Sequence, residues 1–390
     1  MTAIGPGAAV GFVGLGRMGA PMAARLARAG YVVRGFDVSD RATNLWTERT
    51  GFTPAATLAA SAAGAAAVIF MLPDSAVVRR VMDDLLPDLA SGTVVVDMSS
   101  SEPLVTRELA AQAAGHGVTL VDAPVSGGVA GAVSGRLTIM AGGAPGDVAR
   151  VRPLLDVLGA RVVPVGGVGA GHAVKALNNL LSATHLLATS EAMVAAAEFG
   201  LDVPTVLGAI NSSSGRSGST ENKWPNFIVP HTYDSGFSLR LMLKDMRIAL
   251  GLAESSGTPA ALSAAAVDLW AQAAQALPAD ADHTEIARWL GALSRCARRE
   301  ERCADIKRWR SARRTTSSTP SPGPSRSRSN SAATPSRSST SSIPNEPCTC
   351  SVRKTARSTA RCSPSANSSC SGTLTQCTDQ PPSPIQPRKS

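Results

Sequence analysis

"VGFVGLGRMGAPMAARLARAG" (Val10–Gly30) decides the fold. An apolar run of strand length gives way to G-x-G-x-x-G at Gly14, Gly16 and Gly19, and then to an amphipathic helical pattern. A glycine-rich turn alone is a weak signal, but strand, glycine turn and helix in that order form the context a dinucleotide-binding loop requires. Gly14 permits the tight turn, Gly16 lets a pyrophosphate approach the backbone, and Gly19 lets the helix pack close to the strand. The loop residues Leu15, Arg17 and Met18 then share the diphosphate site at a helix N-terminus, where free N–H groups and the dipole favour anions. Asp37 closes the next apolar run 18 residues after Gly19. A carboxylate there accepts both ribose hydroxyls of NAD and repels the 2′-phosphate of NADP. Arg34 and Arg41 lie near enough in sequence to blunt that preference, which leaves NADP possible.

Further apolar runs follow at Tyr31–Phe36, Ala66–Leu72, Thr93–Met98, Val118–Pro124, Leu137–Gly142 and Arg161–Gly166, separated by helix-length spacers. That alternation predicts an α/β fold, a mostly parallel, doubly wound sheet covered on both faces. After "GGVGAG" the strands stop. Helical patterns cover Gly171–Phe199, Pro204–Ile210, Phe237–Ser255, Pro259–Ala276 and His283–Leu293. The reading is therefore a Rossmann-type domain over residues 1–168 and an all-α domain over 169–294, joined by one long helix, with a tail from 295 to 390.

The tail is chemically a different chain. Of 38 Lys and Arg residues, 18 follow residue 294, against only 5 of 29 Asp and Glu, so the body is mildly acidic and the basicity belongs to the tail. All seven cysteines lie in it, from Cys296 to Cys377. None is spaced C-x-x-C, which leaves a zinc site unsupported and no metal expected. Its Ser, Thr, Pro and Arg cannot bury enough apolar surface to offset ordering entropy, so disorder is expected. The abrupt switch near Arg295 also resembles translation of a GC-rich gene in a shifted frame. The body's charge argues against nucleic acid as a partner. No signal-peptide pattern opens the chain and no apolar run reaches membrane-spanning length, so a soluble cytoplasmic protein is expected.

Three polar stretches interrupt otherwise apolar segments. "VKALNN" (Val174–Asn179) sets Lys175 and Asn179 one helical turn apart on one face, and His172 and Ser182 extend the stripe. On spacing alone this is equally well a solvated helix face. "DAPVSGGVAGAVSG" (Asp122–Gly135) offers Ser126, Gly127 and Gly128, whose hydroxyl and freed backbone N–H groups can nest a carboxylate. "LMLKDM" sets Lys244 beside Asp245 in a third apolar run.

Together with "GFVGLGRMGAPMA", "MLPD" and "DMSS", these stretches resemble, in order, the signatures of the 3-hydroxyisobutyrate dehydrogenase (β-hydroxyacid dehydrogenase) family over roughly Ala9 to Leu293. The resemblance implies a Rossmann domain, a long interdomain helix and an all-α domain that often dimerises, giving a homodimer or homotetramer. It implies Lys175 as catalytic lysine and Asn179 as its substrate-orienting partner. Ser126, Gly127 and Gly128 correspond to the substrate-carboxylate loop. Leu72, Pro73, Ser100 and Lys244 correspond to cofactor contacts, with Asp245 beside the last and Phe237 along the same wall. The expected activity is NAD-dependent interconversion of a small 3-hydroxy acid and its semialdehyde, of the 3-hydroxyisobutyrate type towards which "SSGR" (Ser213–Arg216) and the paired asparagines lean. Tartronate or succinate semialdehyde reduction on the same scaffold is the near alternative; a nucleotide-sensing protein without turnover is the distant one.

Overall fold

Successive strand residues point to opposite faces, so a strand apolar at every position must be covered on both sides. In the computed structural model, which describes residues 2–294, five strands run parallel, four of them buried along nearly their whole length and the edge one, which carries Arg34, largely not. They are β1 (Ala9–Val13), β2 (Val32–Phe36), β3 (Ala67–Phe70), β4 (Val94–Asp97) and β5 (Thr119–Asp122), in the order β2-β1-β3-β4-β5. Val10, Phe12, Ala67, Ile69, Val94 and Val96 enter one core, shared with Met22 and Leu26 of helix Gly19–Arg28 and with Val151 and Leu154 of helix Pro145–Leu158. The alternate residues Val13, Val68, Phe70, Val95 and Leu120 enter the other. There they meet Met82 and Leu85 of helix Ser75–Leu85 and Leu109 of helix Pro103–Gly115. At about 1.5–3 kcal/mol for each fully buried side chain, this two-sided burial is the main stabilising term of the sheet.

Three more strands extend it: β6 (Val125–Ser126), β7 (Leu137–Gly142) and β8 (Gly159–Gly166). β5 and β6 both pair antiparallel with β7, and β8 pairs parallel with it. The two-residue β6 escapes sequence reading because it is too short for any period to show.

The helical part has its own core, with Leu186, Met193, Trp224, Met246, Trp270 and Ile286 at its centre. Helices Ala170–Glu198, Val203–Asn211, Leu239–Ser255 and Ala261–Ala276 match the expected ones to within two residues. His283–Glu285 is a 3₁₀ turn leading into helix 286–294. A π-helical segment, Ser219–Ile228, was not expected; Asn222 and Pro225 interrupt any apolar period there. The tail, from Arg295 on, lies outside the described residues.

Helix Ala170–Glu198 is long and apolar enough to cross a membrane by length and composition. Its packing runs the other way. His172, Lys175 and Asn179 are buried, whereas Val174, Leu177 and Leu181 are exposed. Its first residues rest against the C-terminal edge of the sheet. Gly169 precedes it in the left-handed region, at φ 85°, with no side-chain cap of its own. The cap comes from β5: the Asp122 carboxylate accepts the Gly169 N–H at 2.7 Å and the His172 N–H at 2.9 Å. A Cβ on Gly171 would stand 2.3 Å from the Met140 carbonyl oxygen and 2.8 Å from Asp122 Oδ2, so only glycine lets the helix come this close.

Asp122→Ala is expected to cost about 3 kcal/mol, because it strands two buried donors at a helix start. Asp122→Asn, which keeps one acceptor oxygen, should lose roughly half of that. Denaturant unfolding of the two variants measures both.

Candidate active site

In a doubly wound sheet, ligands bind where the strand order reverses, beyond the carboxyl ends of the strands. Here that point lies between β1 and β3, and the glycine loop fills it. Gly14 has φ 99°, and a Cβ on it would stand 2.3 Å from the Met71 carbonyl oxygen. A Cβ on Gly19 would stand 1.8 Å from the Gly14 oxygen, whereas one on Gly16 would meet nothing within 4 Å. The loop is thus closed on the protein side and open on the other, with Gly16 and Arg17 exposed and Met18 half-buried. This fits a dinucleotide diphosphate at the N-terminus of helix Gly19–Arg28.

Asp37 lies just past β2 and braces the loop: its Oδ2 accepts the Leu15 N–H at 2.7 Å and its Oδ1 the Ser39 N–H at 2.8 Å. Each oxygen keeps a lone pair, so ribose hydroxyls can still be held. Arg34 is turned to the Ala63 carbonyl, and Arg41 is exposed on helix Asp40–Thr50. Leu72, beside the loop, donates its N–H to Ser99 Oγ at 2.9 Å, which ties it to the stretch containing Ser100; Pro73 is exposed.

Across the cleft, the interdomain helix and helix Leu239–Ser255 bring four called residues together. Asn179, 5% exposed, donates to Asp245 Oδ2 at 2.6 Å, and Asp245 itself is 1% exposed. Lys244 Nζ lies 3.1 Å from Asp245 Oδ1 and donates to the Ser100 carbonyl at 2.5 Å, bridging to the sheet side of the cleft. Lys175 is 8% exposed and forms no hydrogen bond or ion pair among the described residues. Burial lowers its pKa below the ordinary lysine value; Asp245 opposes the shift and Lys244 adds to it. Desolvation disfavours the charged amine and so favours its neutral form.

No hydrogen bond joins the remaining called residues to this cluster. Ser126 ends β6, and Gly127 and Gly128 follow with φ 129° and 60°, both exposed. They lie four to six residues past the Asp122 that caps the lysine-bearing helix. Phe237 meets His283 edge-on, at 5.8 Å and 79°, two residues before the helix of Lys244. Arg216 of "SSGR" faces Glu221 at the surface.

Sequence reading missed Asp97 and Asp122. Each ends a strand whose preceding two residues are apolar and buried, and is itself buried, and a buried carboxylate must be partnered. A charge closing "VVVD" or "TLVD" was the available signal. Asp97 accepts from the Ser99 N–H and the Ser101 hydroxyl, shaping the turn that presents Ser100. No metal-binding cluster of His, Cys, Asp and Glu occurs among the described residues.

A Rossmann sheet facing a helical domain, with an unpaired lysine buried at the cleft, defines an NAD(P)-dependent oxidoreductase. Residues 9–167 match the NAD binding domain of 6-phosphogluconate dehydrogenase. Residues 169–290 match the family described as NAD-binding of NADP-dependent 3-hydroxyisobutyrate dehydrogenase. The chain is 37% identical over 284 residues to 3-hydroxyisobutyrate dehydrogenase of Pseudomonas aeruginosa, covering 70% of this chain and 94% of that one. It is 37% identical over 265 residues to 2-(hydroxymethyl)glutarate dehydrogenase of Eubacterium barkeri, covering 67% and 87%. The structure of 3-hydroxyisobutyrate dehydrogenase of Mycobacterium tuberculosis with L-serine superposes with a TM-score of 0.69 at 35% identity, over 73% of this chain and 99% of that one. The chain belongs to the 3-hydroxyisobutyrate dehydrogenase family of NAD(P)-dependent 3-hydroxyacid dehydrogenases.

Because the pKa of Lys175 is lowered, the unfolded chain binds more protons than the native one between the lowered and the ordinary lysine value. Stability should therefore rise with pH across that window. Lys175→Met, with no amine to desolvate, is expected to melt roughly 3 °C higher than wild type at neutral pH. That advantage should shrink as pH approaches the ordinary lysine value, and melts at pH 7 and 10 test both statements.

Proposed function

We propose that the protein interconverts a 2-substituted 3-hydroxypropanoate and its semialdehyde, with NAD as the preferred cofactor and Lys175 as general acid and base. The observation that carries this is the unpaired, buried amine of Lys175 beside Asn179, at the start of the interdomain helix. In oxidation, the neutral amine takes the hydroxyl proton as the C–H bond of the carbinol carbon breaks; in reduction, the ammonium returns it. The bound dinucleotide supplies the hydride acceptor or donor. Asn179 fixes the reacting oxygen one helical turn along. Ser126, Gly127 and Gly128 hold the carboxylate by hydroxyl and N–H donors. Lys175, Lys244 and Asp245 leave the cleft with net positive charge when both amines are protonated, which favours an anionic substrate.

On this reading residues 1–168 hold the dinucleotide, through Gly14–Gly19, Asp37, Leu72, Pro73 and Ser100. Residues 169–294 supply the proton chemistry, with Phe237 on the substrate wall. Chemistry common to the compounds named for several of the similar proteins supports this substrate class. 3-Hydroxyisobutyrate, 2-(hydroxymethyl)glutarate and L-serine all carry a hydroxymethyl group on the carbon next to a carboxylate and differ in the second substituent there. Glycerate, the reduced form of tartronate semialdehyde, has the same frame, whereas 4-hydroxybutyrate, the reduced form of succinate semialdehyde, does not. A cytoplasmic homodimer or homotetramer is part of the same proposal. The exposed stripe Val174, Leu177 and Leu181 on the interdomain helix supports association.

Saturation kinetics across these acids test the class: 4-hydroxybutyrate should turn over poorly beside the 3-hydroxypropanoates, and the reverse order would overturn the proposal. Lys175→Ala should lower kcat by at least about 10²-fold. Lys175→Arg should be nearly as damaging, because a guanidinium keeps the charge but cannot release its proton near neutral pH. Recovery of kcat in the arginine variant, with the loss confined to KM, would instead assign Lys175 to charge attraction. For the cofactor, kcat/KM with NAD should exceed that with NADP, and Asp37→Ser should erode the difference.

A further inference from the structure

His172 sits three residues before Lys175 on the same helix and is 1% exposed. Its ring Nδ1 lies 2.8 Å from Thr106 Oγ1 on helix Pro103–Gly115, while its backbone N–H is held by Asp122. The other ring nitrogen is an anomaly. Nε2 is buried, has no hydrogen-bond partner, and stands 3.7 Å from Asp97 Oδ2. A direct bond needs about 2.8 Å, and a bridging water needs two such bonds end to end, so this gap suits neither. A buried nitrogen left this way is costly in the free protein. Movement of less than about an ångström between the helix start and the end of β4 would satisfy it.

Asp97 is the residue through which such a movement would matter. Its Oδ1 accepts the Ser99 N–H at 3.0 Å and its Oδ2 the Ser101 hydroxyl at 2.7 Å. These bonds shape the turn whose Ser100 carbonyl takes the Lys244 amine. His172 therefore stands between the proposed cofactor turn and the first helical turn carrying Lys175, touching both.

We propose that His172 is a positioning residue whose Nε2–H donates to Asp97 when the dinucleotide seats, coupling cofactor binding to the placement of Lys175. Nδ1 then accepts the Thr106 hydroxyl proton, which turns to it from the Glu102 carbonyl that it reaches at 3.0 Å in the free protein. A bond made only in the bound state adds to cofactor affinity and nothing to the stability of the free protein. That separates it from a merely structural contact.

The test uses NAD titration by calorimetry, without substrate, alongside melting of the free protein, for wild type, His172→Asn and His172→Gln. The inference rests on the cofactor placement proposed above, but these readouts are independent of which hydroxyacid the enzyme uses. Asparagine keeps a polar atom near Nδ1 and removes the one at Nε2. It should bind NAD at least about tenfold more weakly, with the free protein's Tm no lower than wild type, because the variant also removes the stranded nitrogen. Glutamine reaches the Nε2 position with an amide N–H and should recover most of that affinity. Unchanged NAD affinity in His172→Asn overturns the proposal. So does equal weakness of the two variants, and so does a fall in free-protein Tm or a failure to fold that accounts for the loss.

Discussion

The Asp122 carboxylate at the start of the interdomain helix is the constraint on which the rest of the site hangs. A 29-residue helix that begins in a protein interior brings unsatisfied N–H groups and a positive dipole end with it. Its own sequence, Gly169-Ala170-Gly171, has no side chain to meet them. A carboxylate at the end of β5 does so, and the glycine at 171 allows the contact. The consequence is positional: Lys175 and Asn179 are delivered to the C-terminal edge of the sheet, where the glycine loop of β1 and the turns after β3 and β4 also emerge. Sheet topology brings the loops to one edge, and one ion–dipole contact brings the helix to them.

The first turns of that helix bury His172, Lys175 and Asn179 and expose Val174, Leu177 and Leu181, the reverse of what stability alone favours. Burying Lys175 without a partner is a cost, and on the proposed mechanism it is one carried for chemistry, as is typical where a local rule fails at a functional site. The exposed Val174, Leu177 and Leu181 make the opposite face suited to cover by another surface. This stretch thus presents two faces, a polar one within the chain and an apolar one turned outward.

The sheet, the glycine loop and the helical domain were legible because each is a repeated pattern: period-two burial, strand–turn–helix order, or helical apolar spacing. Lys175 and Asn179 were legible as a polar pair in an apolar run, and Lys244 with Asp245 likewise. What bonds these residues to one another was not. Asp97, Asp122 and His172 work through hydrogen bonds across 2 to 66 residues, such as His172 with Thr106, which no local period encodes. β6 and the π-helical segment were hidden for the opposite reason, being too short or too irregular to have a period. Phe237 shows the limit of position alone: its place before the Lys244 helix was readable, but its ring partner His283 was not.

The arrangement around Asp245 explains how a lysine next to a buried carboxylate can still act as a base in the proposed mechanism. A direct Lys175–Asp245 ion pair would hold the amine in its charged form and raise its pKa. Asn179 takes Asp245 Oδ2 by a hydrogen bond, and Oδ1, which accepts no hydrogen bond, stands in ion-pair contact with Lys244 at 3.1 Å. Asp245 therefore acts on Lys175 only at a distance, too weakly to reverse the effect of burial. Lys244 contributes twice, by occupying the carboxylate and by adding a like charge that disfavours protonation of its neighbour. The amine needed for proton transfer is left free because a second lysine and an amide engage the acid that would otherwise hold it.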